Sequence, residues 1–363
     1  MKNIKKLCLI AALGVMVTGG SLLTSTAVYA ATKDVTAGTD LASVVKSAKA
    51  GDIINIIGTV KSGTVTVPSG VTITGKTGAG KVDFSPTGIT GKGFVLNGTG
   101  STITDLEIYN AGDNGVFIGG ADINSKGAGV KNILTKLEIH NNNDAGVQLS
   151  NGASGNILTS VHSYLNCDQF GKTDPKKRGE NADGFAVKLG SGEGNKLIKC
   201  ISERNADDGY DLYAAHGAVS FDNCQAIKNG SFDTGKEIIY GDGNGFKVGG
   251  IDNKTDPKNP VAVPENHVLI SCTAQGNTGN GFDRNNQTGI VTMTNCVATN
   301  NGFGNKSTNK LGSNYNFPAK GTPSAIGHEI QFGTAIIDGC TSSGGAQKDN
   351  ISGAKVTNSP TVK

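Results

Sequence analysis

The chain has 363 residues, among them 54 glycines, 9 prolines and no tryptophan, and a formal charge of +3. A chain so rich in Gly, Asn and Thr is poor helix material and rich in turns, which excludes a helical bundle. Apolar triplets recur too regularly for a disordered chain, and no nucleic-acid partner is expected, although so small a net charge by itself says nothing about the partner.

Lys2, Lys5 and Lys6 precede an apolar run from Leu7 to about Val17, and Val28-Tyr29-Ala30 offers small residues for cleavage. This is the pattern of a signal peptide over residues 1–30, leaving a secreted chain, residues 31–363, as a single domain. The run is too short to span a membrane, and no later stretch approaches ~20 apolar residues. The leader takes three lysines and no acids with it, so the mature chain is formally neutral. Any attraction for a polyanion must then come from a local patch. Next, Leu41 to Lys49 reads as a helix that would cap the open end of a strand stack and hide its edge.

From about residue 95 the chain repeats. One unit is a strand, then Cys or Leu, then a short strand ending at Asn: Cys200 to Asn205, Cys224 to Asn229, Cys272 to Asn277 and Cys296 to Asn301, with Leu106 to Asn110 and Leu137 to Asn141 as earlier versions. A Gly-φ-x-φ segment (φ apolar) follows at Gly115, Gly146, Gly184, Gly209 and Gly245. Short strands at this spacing with no helical periodicity predict an all-β parallel β-helix, in which equivalent residues stack about 4.8 Å apart. Asn205, Asn229 and Asn277 would form an internal ladder at a left-handed bend. Longer spacings carry insertions at Gly171 to Asn181 and Asp252 to Glu265, and residues after about Thr341 read as a cap or tail.

Alternation assigns the faces. The residue after each glycine (Val116, Val147, Phe185, Tyr210, Phe246, Phe282) points inward; the next (Phe117, Gln148, Ala186, Asp211, Lys247, Asp283) points outward to solvent. Cys200, Cys224, Cys272, Cys296 and Cys340 hold equivalent places, which suits a ladder of buried thiols; disulfides are the alternative in a secreted chain. No C-x-x-C occurs, which argues against a zinc site.

Three consecutive repeats carry the chemistry: Asn-Ala-Asp183-Gly, Asn-Ala-Asp207-Asp208-Gly-Tyr-Asp211 and Gly-Asp-Gly-Asn-Gly-Phe-Lys247. Aligned on Gly184, Gly209 and Gly245, Asp183 coincides with Asp208, and Asp211 with Lys247. Four carboxylates then meet at one spot beside a lysine. Calcium takes six to eight oxygens, and stacked aspartates without a cation repel one another. A single Asp-Gly is an ordinary solvated turn; four with a lysine form a candidate calcium site beside a base. Arg204, Lys228 and Arg284 lie near these rungs and could meet substrate carboxylates, as could Lys176, Lys177 and Arg178 in the insertion. His162, His216 and His267 suggest no triad.

Over roughly residues 95–305 the chain resembles the pectate lyases of polysaccharide lyase family 9, above all in the unbroken motifs around Asp183, Asp207-Asp208, Asp211 and Lys247. The resemblance implies a right-handed parallel β-helix and calcium-dependent β-elimination of α-1,4-polygalacturonate, an acidic plant cell-wall polysaccharide. It implies Asp183, Asp207, Asp208 and Asp211 as Ca2+ ligands and Lys247 as base, in a secreted protein, expected to be a monomer. Alternatives stay open: a lyase of the same family on rhamnogalacturonan or another acidic glycan, a polygalacturonase, or a non-catalytic calcium-stabilised adhesin or glycan-binding β-helix.

Overall fold

The computed structural model describes residues 30–75, 78–171, 174–304 and 310–363. The predicted signal peptide, Ala30 apart, lies outside the described residues. No helix among them is long and apolar enough to cross a membrane.

Parallel strands stack into a β-helix. One face is a nine-stranded sheet running from Val65–Thr66 through Phe94–Leu96, Val116–Ile118, Val147–Leu149, Phe185–Val187, Tyr210–Asp211, Phe246–Lys247 and Phe282–Asp283 to Tyr315–Asn316. The remaining coil strands join in a nineteen-stranded sheet folded around a corner. In the early coils that corner is a bend within one eight-residue strand, such as Ile133–His140, with Lys136 at φ 52°. In later coils the strand splits there, as at Lys199, Asn223, Ser271 and Asn295, all left-handed. The residue after the bend points inward. It is Leu106, Leu137 or Val161 early and Cys200, Cys224, Cys272, Cys296 or Cys340 later, all buried. The thiol ladder is present, and the six described cysteines are free, with Cys167 the sixth.

A second left-handed corner follows at Asn110, Asn141, Leu165, Arg204, Lys228, Gly276 and Asn300. The asparagine ladder starts one residue later. This corrects the expected alignment: Asn110 and Asn141 match Arg204, not Asn205, and the ladder residues do not themselves occupy the left-handed conformation. The ladder runs Asn142, Asn166, Asn205, Asn229, Asn277, Asn301 and Asn314, with Nδ2 to Oδ1 distances of 2.8–3.0 Å. Each of these oxygens also accepts the preceding rung's backbone N–H, as Asn229 does from Asn205 at 3.1 Å. A shorter ladder of Asn132, Asn156 and Asn195 lines another turn.

Inside, Phe185, Tyr210, Phe246, Phe282 and Tyr315 stack with centroids 4.5–5.2 Å apart, offset along the axis by one coil each. The helix covers Leu41–Lys46, shorter than expected. Asp40 caps it by accepting the Ser43 N–H, and Leu41 and Val45 are buried over the first coil. The C-terminal region departs from a cap or tail. Thr341–Ser343 pairs with Val297–Thr299, and Ala354–Thr357 with Ala335–Asp338, so the coil continues. Insertions form antiparallel hairpins, including Ser231–Asp233 with Ile238–Tyr240 and Ile251–Asp252 with Val261–Ala262.

Candidate metal centre and groove

The register of the nine-stranded sheet sets the site. Ala186 pairs with Asp211, Asp211 with Lys247 and Lys247 with Asp283, so the aligned outward column is real. It does not face open solvent as expected. Phe117, Ala186, Asp211 and Asp283 are buried, because loops from the coil corners fold over the sheet. Gly241 lets one such loop pass over the site, since a Cβ there would lie 2.5 Å from Asp207 Oδ1. That crossing leaves the Asp242 N–H donating to Asp207 Oδ1 at 2.7 Å.

Asp183, Asp207 and Asp208, all buried, each bring a carboxylate oxygen within 4.8 Å of the others. Asp208 Oδ1 accepts from the Asn244 backbone N–H at 2.7 Å and from its Nδ2 at 2.9 Å. Asp183 Oδ1 is buried without a hydrogen-bond partner, and among the described residues the only cation near the buried Asp208 Oδ2 is the Lys247 amine. A buried carboxylate oxygen without a donor is costly, and an all-oxygen anionic donor set with free lone pairs suits a hard divalent cation. The residues therefore fit calcium. Asp211, the fourth predicted ligand, stands in the same wall with both oxygens engaged: Oδ1 by the Tyr213 N–H at 3.0 Å, Oδ2 by Lys188 at 2.9 Å.

Lys188 is the residue that sequence reasoning missed. Its Nζ also donates to Asp183 Oδ2 at 2.7 Å, and the side chain is 10% exposed. The signal was available: alternation along Phe185–Lys188 puts Lys188 on the same outward face as Ala186. Lys247 approaches from the other side. Its Nζ lies 3.0 Å from Asp208 Oδ2, 3.1 Å from Asp242 Oδ2 and 4.0 Å from Asp211 Oδ1. It lines a cavity of about 270 Å³ with Asp242, Asn244, Asn280, Asp283 and Asn285. The largest cavity described, about 730 Å³ around Lys126, Glu193 and His216, contains none of these groups.

Burial pushes the carboxyls of Asp183 and Asp207 well above the usual range and that of Asp208 to about 7. Burial also opposes ionisation of Asp211, but Lys188 and Lys247 outweigh it and hold this carboxyl low. For Lys247, burial disfavours the charge, yet Asp208, Asp211, Asp242 and Asp207 prevail and hold the amine well above the ordinary lysine range.

Arg284 is not a groove residue. It is fully buried, donates to the carbonyls of Gly333 at 2.7 Å and Gly353 at 3.1 Å, and lies over the rings of Phe317 and Phe332. A guanidinium so enclosed ties the late coils together and has no surface for a substrate carboxylate. Arg204 and Lys228 are exposed at the left-handed corner beyond Ile201–Glu203 and Gln225–Ile227, on the sheet that does not carry Lys247. Arg178 is held by Glu237 through contacts of 2.7 and 2.9 Å, which engage its charge. His162 sits between Glu138 and Glu203, His216 pairs with Asp252, and His267 is buried against Val219 and Gln287.

Residues 23–316 match the family model described as Pel9A-like, right handed beta helix region. The chain is 36% identical over 234 residues to pectate lyase L of Paenibacillus polymyxa, and 32% identical over 211 residues to pectate lyase L of Dickeya dadantii. The alignments take in 62% and 58% of this chain, which spans only 48% and 44% of those relatives. The crystal structure of pectate lyase Pel9A superposes with a TM-score of 0.64 at 24% identity, over 92% of this chain and 80% of that one. A rhamnogalacturonan lyase does so with a TM-score of 0.61 at 20% identity, over 90% and 87%. At these identities the two structures speak for the fold alone.

Proposed function

Since the chain belongs to the Pel9A-like family of right-handed β-helix proteins, we propose that it is a secreted, monomeric pectate lyase. It cleaves α-1,4-polygalacturonate by calcium-dependent β-elimination, with Lys247 as the base. The observation that carries this reading is the amine of Lys247, lodged against a carboxylate wall in which the buried Asp183 Oδ1 has no partner, and opening onto a groove. The curated relatives, named pectate lyases, support the substrate.

Asp183, Asp207, Asp208 and Asp211 would hold the ion. Bound calcium supplies positive charge for the uronate carboxylate and offsets the acidic surroundings of Lys247. The residues of the chain do the rest. Lys247, in its neutral form, takes the proton from the sugar carbon next to the carboxylate. The C4–C5 double bond forms, the C4–O bond breaks, and the departing oxygen takes a proton from solvent. Asn244 fixes Asp208, and Asp208 in turn fixes the amine. The exposed Arg204 and Lys228 are candidates to meet uronates farther along the chain, for which a higher KM of Arg204→Gln is the measurement.

The test is incubation with calcium and de-esterified polygalacturonate, watched for the ultraviolet absorbance of the unsaturated product. Absorbance should rise, stop with excess chelator, and be fastest in the alkaline range, where the amine loses its proton. An optimum near pH 5 would count against a lysine base. Turnover of rhamnogalacturonan alone would transfer the reading to that glycan, and calcium binding without turnover of any acidic glycan would favour the adhesin.

A further inference from the structure

Two lysines flank the carboxylate wall, and only Lys247 opens onto the groove. Lys188 comes from the same coil as Asp183, the first rung of the wall, and is enclosed. Its ammonium bridges one carboxylate from each of two adjacent coils, Asp183 and Asp211, at 2.7 and 2.9 Å. Four carboxylates packed this closely repel one another, and Lys188 is the cation that joins two of them inside the protein.

We propose that Lys188 is a built-in counter-cation for the wall. It holds Asp183 and Asp211 in place while calcium is absent, and it weakens calcium binding by competing for the same oxygens. This inference rests on the calcium reading above and goes beyond it, since it assigns no chemistry to Lys188. Thermodynamic linkage fixes the sign. If Lys188 stabilises the calcium-free protein more than the calcium-loaded one, removing it must lower calcium-free stability and tighten calcium binding by the corresponding amount.

The experiment compares the full chain with Lys188→Met, Lys188→Gln and Lys188→Arg. Isothermal titration with calcium chloride gives Kd, and thermal unfolding with chelator or with calcium gives stability. Lys188→Met and Lys188→Gln should lower the calcium-free Tm, recover most of the loss in calcium and tighten Kd by at least about fivefold. A variant folded only in calcium is the same result at its limit. Lys188→Arg keeps the charge and should bind calcium as the wild type does. Unchanged or weaker calcium binding in Lys188→Met would overturn the proposal, as would Lys188→Gln behaving as wild type. If Lys188→Met does not fold in either condition, Lys188→Gln decides. Absence of calcium binding in the wild type would instead refute the calcium reading, so the two failures are distinguishable.

Discussion

The asparagine corner and the aspartate wall use the same device, equivalent side chains stacked one per coil, with opposite results. At the corner each amide both donates and accepts, so each rung from Asn142 to Asn301 satisfies the next and the column closes on itself without charge. At the wall the stacked groups only accept. Repetition there accumulates charge, leaves Asp183 Oδ1 without a donor and leaves Asp208 Oδ2 dependent on the Lys247 amine. A stack of amides is a structural element complete in itself. A stack of carboxylates is a site, because it is unfinished without a cation.

The sharpest separation of the two regions should come from Lys247→Ala. It removes the base and leaves the asparagine ladder untouched, so kcat should fall by ~10²–10⁴-fold while circular dichroism stays near wild type and calcium still binds. Retention of more than about a tenth of kcat would end its role as base. Lys247→Arg should be nearly as inactive, because a guanidinium does not deprotonate at working pH.

Asp208→Asn makes the wall resemble the corner. It should raise the calcium concentration needed for half-maximal activity by about tenfold or more, while calcium-free stability holds or improves, since a repelling charge is lost. A large fall in calcium-free Tm would erase the distinction between the two stacks.

The converse change breaks the corner. Asn229→Ala deprives the Asn205 backbone N–H and the Ser202 hydroxyl of their acceptor in a fully buried position. At ~1–3 kcal/mol for each buried group left unpaired, about 2–6 kcal/mol should be lost, read from the denaturant midpoint, and calcium should not restore it. Recovery in calcium would show that the ladders are coupled.

The smallest effect is a pH dependence. The folded carboxyl of Asp208 is raised to about 7 by burial, against ~3.9 in an unfolded chain. A raised carboxyl contributes stability below the unfolded value and loses it as pH rises through the folded one. The Asp208 contribution to calcium-free stability should therefore decline from about pH 4 to about pH 7, and the rise in Tm produced by saturating calcium should grow over that interval. Buried His267, lowered to about 3 by burial, destabilises the acid side in both forms and cancels in the difference. A calcium-induced shift independent of pH would mean that the wall is already fully ionised when empty and that burial does not raise Asp208.

Much of this was legible in the residues. Gly184, Gly209 and Gly245 set the register, and the register places Asp183, Asp208, Asp211 and Lys247 together. The inward stack from Phe185 to Phe282 follows from alternation. What escaped depends on features without a repeat. Lys188 has no lysine at the matching place in the next coil, so alignment gave no hint of it. The burial of the outward column comes from loops whose paths local pattern does not encode. Arg284 follows Asp283 and shares its neighbourhood in sequence, but its side chain turns inward among late coils whose strands beyond Thr341 were not recognised. The ladder of Asn205, Asn229 and Asn277 is as expected; only Asn110 and Asn141 stand one residue before it, because Asn also favours the left-handed position there.

The free thiols of the core carry a kinetic consequence. Cys200, Cys224, Cys272, Cys296 and Cys340 follow one another up the stack, each buried and reduced. While the coils are closed, oxidants have no access to them. When several adjacent coils open together, neighbouring thiols are released side by side, and a bond formed between slipped coils would prevent return to register. Heat inactivation in air should then be irreversible where the same excursion under reductant is not. In an oxidising medium the lifetime of this protein would be set by how rarely its coils part rather than by its equilibrium stability.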